Sequence, residues 1–428
     1  MGMLQRMNPF GKRSDQPHTQ LAKGASASLL EAIEGIAATR GIVLPPCDPY
    51  PEQDVAYERF LKSVGRDHSQ VDRILDMGRL PEEKRAAAHG MLLAAILKSD
   101  SLGNDELRAI LTVARTIFSE QRATSLLRTI TAPIYEKARR LPGHLREPLA
   151  MGVFPFRWFN GHSLPFEGTS ICLVATGSFD LIETFTTLFA ARQKDPAYAV
   201  EKMRHAIAAY VRTNEVESPQ YGLAQGLVDF GNVGSLHNIL TTAAEQFLIS
   251  HELGHVALGH TENAPRGAMP TRSVGLMGRA QSDVKVIKPQ QLDEHCADIW
   301  ALQAMLALAN EREHADKVPI FCGGAAIFLG LAVLVEAASR AAKIETKDSH
   351  PPALNRLYIV ELAFELFGHH EDAFVARRVR EFVEEVGAKY PGFEMPPMLS
   401  RPMNQIAIQA FESLNLDLSN APYITDFC

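Results

Sequence analysis

The run from Ile239 to His260 constrains this chain more than any other stretch. It reads Ile-Leu-Thr-Thr-Ala-Ala-Glu-Gln-Phe-Leu-Ile-Ser and continues as HELGHVALGH. The first twelve residues are helix-compatible and largely apolar, which places them in a buried helix expected over about Ser235 to Gly259. Inside that helix stand His251, Glu252 and His255 in the pattern HExxH. At about 100° per residue, positions i and i+4 lie roughly 40° apart and one turn apart. Two imidazoles so placed reach one metal ion. Glu252 sits a quarter-turn round, beside the ion but not bound to it, where it can take a proton from water and pass it to a leaving amine. Two histidines and a glutamate on a buried helix need a partner, and a divalent cation supplies one. Gly254 costs the helix about 1 kcal/mol of propensity, and its missing side chain lets a neighbouring segment approach closely.

A catalytic zinc usually takes three protein ligands and keeps one position open, so a third ligand must come from elsewhere. His260 is nearest in sequence, but nine residues after His251 it falls near the opposite helix face. It could ligate only if the helix broke at Gly259, and it reads as a helix-end histidine near the negative dipole end. Glu294 is the better candidate. It lies in Gln291-Leu292-Asp293-Glu294-His295-Cys296-Ala297-Asp298, the start of a second apolar-periodic helix. Glu294 and Asp298 are i and i+4 and share a face. Glu294 can ligate while Asp298 accepts a hydrogen bond from the distal nitrogen of a ligand histidine and fixes its tautomer. Small Ala297 permits close helix packing. His295 points about 100° away and is second choice; Cys296 reads as a core thiol. A third piece, Ser349-His350-Pro351-Pro352-Ala353-Leu354-Asn355-Arg356, is an extended approach to a helix. It lets His350 and Arg356 face one cleft and stabilise an oxyanion.

Composition narrows the setting. Of 428 residues, 46% are hydrophobic, which excludes disorder as the main state and supports two or three domains. Lys+Arg 43 against Asp+Glu 50 gives a formal charge of −7, with no electrostatic footprint for nucleic acid. Five cysteines at wide spacing, with no CxxC, argue against a disulfide framework or a thiolate zinc site and fit a reducing, cytoplasmic compartment. The N-terminal stretch, broken by Pro9 and Gly11, does not read as a secretory signal. Val318–Val335 is 18 residues without a charge, but its Pro319, Gly323, Gly324 and Gly330 favour a buried core helix over a membrane span.

Residues 1–25 read as a flexible tail and 26–150 as a helical domain, with helices at Asn104–Phe118 and from Pro81 to Leu97. Leu141–Gly168, rich in Pro, Gly and aromatics, reads as a folded junction centred on 151–165. A metallopeptidase-like domain is expected over 166–390 and a C-terminal tail over 391–428. Within that domain Ser170–Thr176 is the strand with the best propensity, and it is a candidate edge strand for aligning substrate backbone. Helices follow over about Phe179–Arg192 and Ala197–Arg212. The fold class is mainly α with a small β component.

HExxH at His251–His255, ExxAD at Glu294–Asp298 and HPxxxxR at His350–Arg356, in that order, resemble the gluzincin metallopeptidases of the CAAX-prenyl-protease and heat-shock membrane-protease type. The context HELGHVALGH is also similar to soluble phage-exclusion peptidases and repressor-cleaving regulators. The resemblance spans about a quarter of the chain. It implies one zinc ion per chain on His251, His255 and Glu294, with Glu252 as general base. Asp298 would lie behind the ligands, and His350 with Arg356 would support the transition state. The implied function is zinc-dependent endopeptidase action on a protein or peptide substrate. The alternatives are a non-catalytic zinc-binding sensor or scaffold, and a membrane-anchored protease using Val318–Val335.

Overall fold

The computed structural model describes residues 31–46, 48–67, 123–140, 147–154, 159–213, 233–263, 289–311, 322–344, 351–395 and 410–411, with Leu145 and scattered positions between 103 and 115. The chain divides into two compact units. The first comprises residues 1–47 and 79–121. Its helix over 31–39 buries Ile33 and Ala37, Leu107 and Leu111 are buried, and Arg115 pairs with Glu34 at 3.0 Å. Of the helix expected over Asn104–Phe118, the described positions are helical; the helix expected from Pro81 to Leu97 lies outside the described residues.

The second unit, 48–78 and 122–428, is mainly helical with one three-stranded sheet. Its helices are α1 (Asp54–Ser63), α2 (Ala123–Ala138), α3 (Thr176–Ala191), α4 (Pro196–Thr213), α5 (Val233–Ala257), α6 (Pro289–Glu311), α7 (Gly324–Ala341), α8 (Ala353–Leu366) and α9 (His370–Gly387). The mainly α architecture with a small β part is as the sequence predicts. The strands are β1 (Leu149–Phe154), β2 (Gly161–Phe166) and β3 (Thr169–Ala175), in the order β1-β3-β2.

Two of these strands lie in the segment expected as a folded junction. β1 is buried along its whole length, so it shows no alternation. β2 carries Pro165, which a strand tolerates at an edge. It turns into β3 through Glu167-Gly168, both at positive φ, as a two-residue hairpin requires. β3 is the central strand, parallel to β1 and antiparallel to β2. The expectation that this strand forms an edge is therefore corrected: both its edges are paired, and its apolar run is buried because separate core clusters cover the two faces of the sheet.

The outer edge of β1 is closed by side chains. Gln53 accepts from Met151 N–H at 2.9 Å, Arg128 donates to Met151 O at 3.1 Å, Thr124 accepts from Val153 N–H at 3.4 Å, and Tyr57 donates to Val153 O. Such closure blocks strand addition. β2 forms the other edge and packs on α5.

The core is built around α7, which is packed by α3, α4, α5, α8 and α9. Among the described residues α7 is the one helix long and apolar enough to cross a membrane, and 83% of it lies buried inside the protein. Its burial is that of a core helix. α5 crosses both α6 and α7, so the HExxH segment sits at the centre of the unit.

Candidate metal centre

The last turns of α5 present His251 and His255 on one face, and the second turn of α6 presents Glu294 opposite them. The close approach of these helices has a visible cause. A Cβ at Gly254 would lie 3.0 Å from the Ala297 carbonyl oxygen and 3.2 Å from Ala297 Cα. Glycine on α5 against alanine on α6 lets the two backbones nearly touch, and that brings Glu294 within reach of the histidines.

The three side chains are buried. His251 Nε2 lies 3.1 Å from His255 Nε2, and Glu294 lies 3.3 Å from the first and 3.4 Å from the second. Among the described residues they are the group of His, Cys, Asp and Glu side chains that can hold a metal ion. Ligand atoms about 2.0–2.1 Å from a tetrahedral centre lie about 3.3–3.4 Å from each other. The observed spacing is close to that, and two imidazoles with one carboxylate form a donor set that suits zinc.

The electrostatics also favour a cation. Asp298, fully buried one turn after Glu294, takes a bidentate pair from Arg356 on α8, with both bonds at 2.7 Å. It also accepts from His251 Nδ1 at 2.9 Å. Arg356 further approaches Glu294 at 3.4 Å. Burial would push Asp298 up, but Arg356 and His251 outweigh it and hold the carboxyl well below its ordinary range. Burial and Arg356 push His251 down, yet Asp298 and Glu294 overcome both and lift it to about 9. Two carboxylates against one guanidinium leave the cluster short of one positive charge. A proton on His251 supplies that charge, and a divalent cation on Nε2 can take its place.

Glu252 is buried beside the cluster, and its carboxylate is held against β2. A Cβ at Gly161 would lie 2.5 Å from Glu252 Oε1 and 2.7 Å from its Cγ. The glycine that opens the edge strand therefore makes the space for this side chain. No sequence pattern singled out Gly161.

Of the other residues considered from sequence, His350 lies outside the described residues. His295 is buried outside the cluster, and burial pushes it down to about 4. Cys296 is a buried thiol, as are Cys172 and Cys322. α5 ends at Ala257, and Gly259 adopts φ +76. The helix does break there, but His260 turns towards the Nδ1 side of His255, not towards the three converging atoms.

The neighbourhood of Arg356 holds one further residue that sequence reasoning missed. α8 starts after Pro352 and has no side-chain cap of its own. Glu336 on α7, buried, accepts from the Ala353 N–H at 2.8 Å and fills that role. The signal was present as a lone acidic residue after an 18-residue uncharged run.

The fold and site thus define a helical protein with a His/His/Glu cluster of metal-ligating type on two crossing helices. The family model described as Peptidase U49 matches residues 205–377, about two-fifths of the chain. That span runs from α4 into α9 and contains every residue of the cluster. The match supports a peptidase acting on proteins or peptides. No curated protein and no solved structure matches the chain.

Proposed function

We propose that this chain is a cytoplasmic zinc-dependent endopeptidase of gluzincin type. The observation that carries the reading is the convergence of His251, His255 and Glu294, with Glu252 between the two histidines in sequence and held against the sheet. A zinc ion bound there supplies Lewis acidity, lowering the pKa of water towards about 7 and polarising the scissile carbonyl. Glu252 takes the proton from the attacking water and delivers it to the leaving nitrogen. Asp298 holds the His251 ring by its Nδ1–H, and Arg356 holds Asp298 and Glu294 in register. This gives Arg356 a positioning role, with its guanidinium committed to carboxylates, in place of direct contact with an oxyanion.

β2 is the strand that would align substrate. Its Gly161 abuts Glu252, and the opposite edge of the sheet is closed by the side chains on β1. An extended peptide pairing with β2 would present its backbone beside the general base.

The test pairs metal analysis with the base. Purified protein should carry about one zinc per chain. Glu252→Gln should keep the zinc while hydrolysis of a quenched fluorescent peptide library falls by roughly 10²–10⁴. Unchanged hydrolysis in that variant would refute the mechanism, and absence of zinc uptake would refute the metal assignment.

A further inference from the structure

His260 and Asp293 have no part in the proposed chemistry, yet they are arranged around one of its ligands. Gly259 reverses the chain after α5, and the 3-10 turn His260–Asn263 lays the His260 imidazole against His255. The ring centroids are 5.2 Å apart at 65°, and the two Nδ1 atoms are 3.0 Å apart. On its far side His260 Nε2 lies 3.4 Å from Asp293 Oδ1, and Asp293 immediately precedes Glu294 on α6. The two histidines of the cluster are therefore braced differently. His251 rests on a carboxylate directly, while His255 rests on a second imidazole that faces a carboxylate.

Hydrogen-bond accounting fixes the direction of this chain. A neutral imidazole has one N–H and one bare nitrogen. If His255 Nε2 offers its lone pair to an ion, its Nδ1 carries the hydrogen. That hydrogen points at His260 Nδ1, which must be the bare acceptor. His260 then carries its own hydrogen on Nε2, on the side of Asp293. One proton arrangement satisfies all three groups, and it is the one in which His255 is ready to ligate.

We propose that His260 and Asp293 are positioning residues that set the tautomer and ring orientation of His255 and thereby the metal affinity of the site. The proposal rests on the reading of His251, His255 and Glu294 as a zinc centre. It gives α6 two connected tasks: one turn supplies both the third ligand and the end of the relay. Asp293 is 43% exposed in its side chain, so the relay leads from the buried cluster to the surface.

The experiment uses the full chain and reads zinc affinity by competition with a chromophoric chelator, with the absorption spectrum of the cobalt(II) form as a second readout. His260→Ala should weaken zinc binding by about 10–100-fold, as for loss of a group that orients a ligand. The cobalt spectrum should keep its shape, since the ligands are unchanged. His260→Asn places a carbonyl oxygen near the former Nδ1 and should restore most of the affinity. Asp293→Ala should cost less, roughly 2–10-fold, since it acts through one more residue. Affinity within two-fold of wild type in both alanine variants overturns the proposal. A changed coordination spectrum in His260→Ala also overturns it and makes His260 a ligand. If His260→Ala does not fold, Asp293→Ala at its half-exposed position decides alone. Wild-type protein that takes up no zinc ends this proposal together with the zinc reading. Wild-type protein that binds zinc, loses it in His251→Ala and is unaffected in both relay variants ends this proposal only.

Discussion

Arg356 shows how one side chain organises the cluster. Its guanidinium grips Asp298 in two bonds and approaches Glu294, and all three groups are buried. A buried pair of this kind is weak evidence of net stability, but removing one member strands the other. Arg356→Ala should cost about 3–5 kcal/mol in denaturant unfolding of the metal-free protein. Arg356→Lys should recover little of it, because an ammonium cannot reproduce the planar fork. The double change Arg356→Met with Asp298→Leu should be less destabilising than Arg356→Ala alone. A single variant that unfolds at the wild-type midpoint would show that the pair does not tie α8 to α6. HPxxxxR flags this arginine in sequence, and ExxAD flags its partner. That the two bind each other could not be read there, because 58 residues separate them.

Two glycines on opposite faces decide what the elements around α5 can do. Gly254 faces Ala297 and sets the α5–α6 distance. Valine there should cost about 1–3 kcal/mol by overpacking and should weaken zinc binding, since it separates His255 from Glu294. Gly161 faces Glu252, whose side chain supplies the three atoms nearest to a Cβ built there. Gly161→Ala should leave zinc affinity intact and lower turnover by about 10²-fold, the cost of a displaced catalytic group. If both variants lose zinc equally, the two faces of α5 are not independent; if Gly161→Ala turns over normally, β2 does not position the base. β1 and β2 escape sequence patterning for separate reasons. One is buried on both faces and so does not alternate, and the other is an edge carrying a proline. β3, a short β-branched run between glycines, is legible as a strand but not as the central one, because strand order depends on neighbours far along the chain.

At the scale of the molecule, burying carboxyls makes stability depend on pH. Burial pushes Glu336 up to about 8, and burial with Glu371 pushes Asp372 to about 8. Both carboxyls bind protons more tightly folded than unfolded. Their contribution is fully present below the ordinary carboxyl range near pH 4.5, declines as pH rises, and is lost above about 8. Glu336→Gln keeps an acceptor for Ala353 N–H and removes one titrating group. Measured by unfolding at pH 5 and at pH 8.5, the variant should gain on wild type at the higher pH by a few kcal/mol at most. A constant difference between the two proteins across that range would mean that Glu336 is ionised in the fold.

The sequence by itself determined the mainly helical class, the helices that carry the cluster, and the residue types on their facing sides. Spacing of i and i+4 puts His251 with His255 and Glu294 with Asp298, and it does so through local helix geometry alone. Apolar composition marks α5 and the burial of α7, and apolar periodicity marks α6. The tertiary structure decided everything that depends on two elements meeting. The crossing at Gly254 and Ala297 makes Glu294 the third member of the cluster. The chain reversal at Gly259 turns a helix-end histidine onto His255. The strand order puts β2 at the edge and its Gly161 against Glu252. Each of these is a contact between residues distant in sequence, set by packing and backbone reversal, and helical spacing carries no record of it.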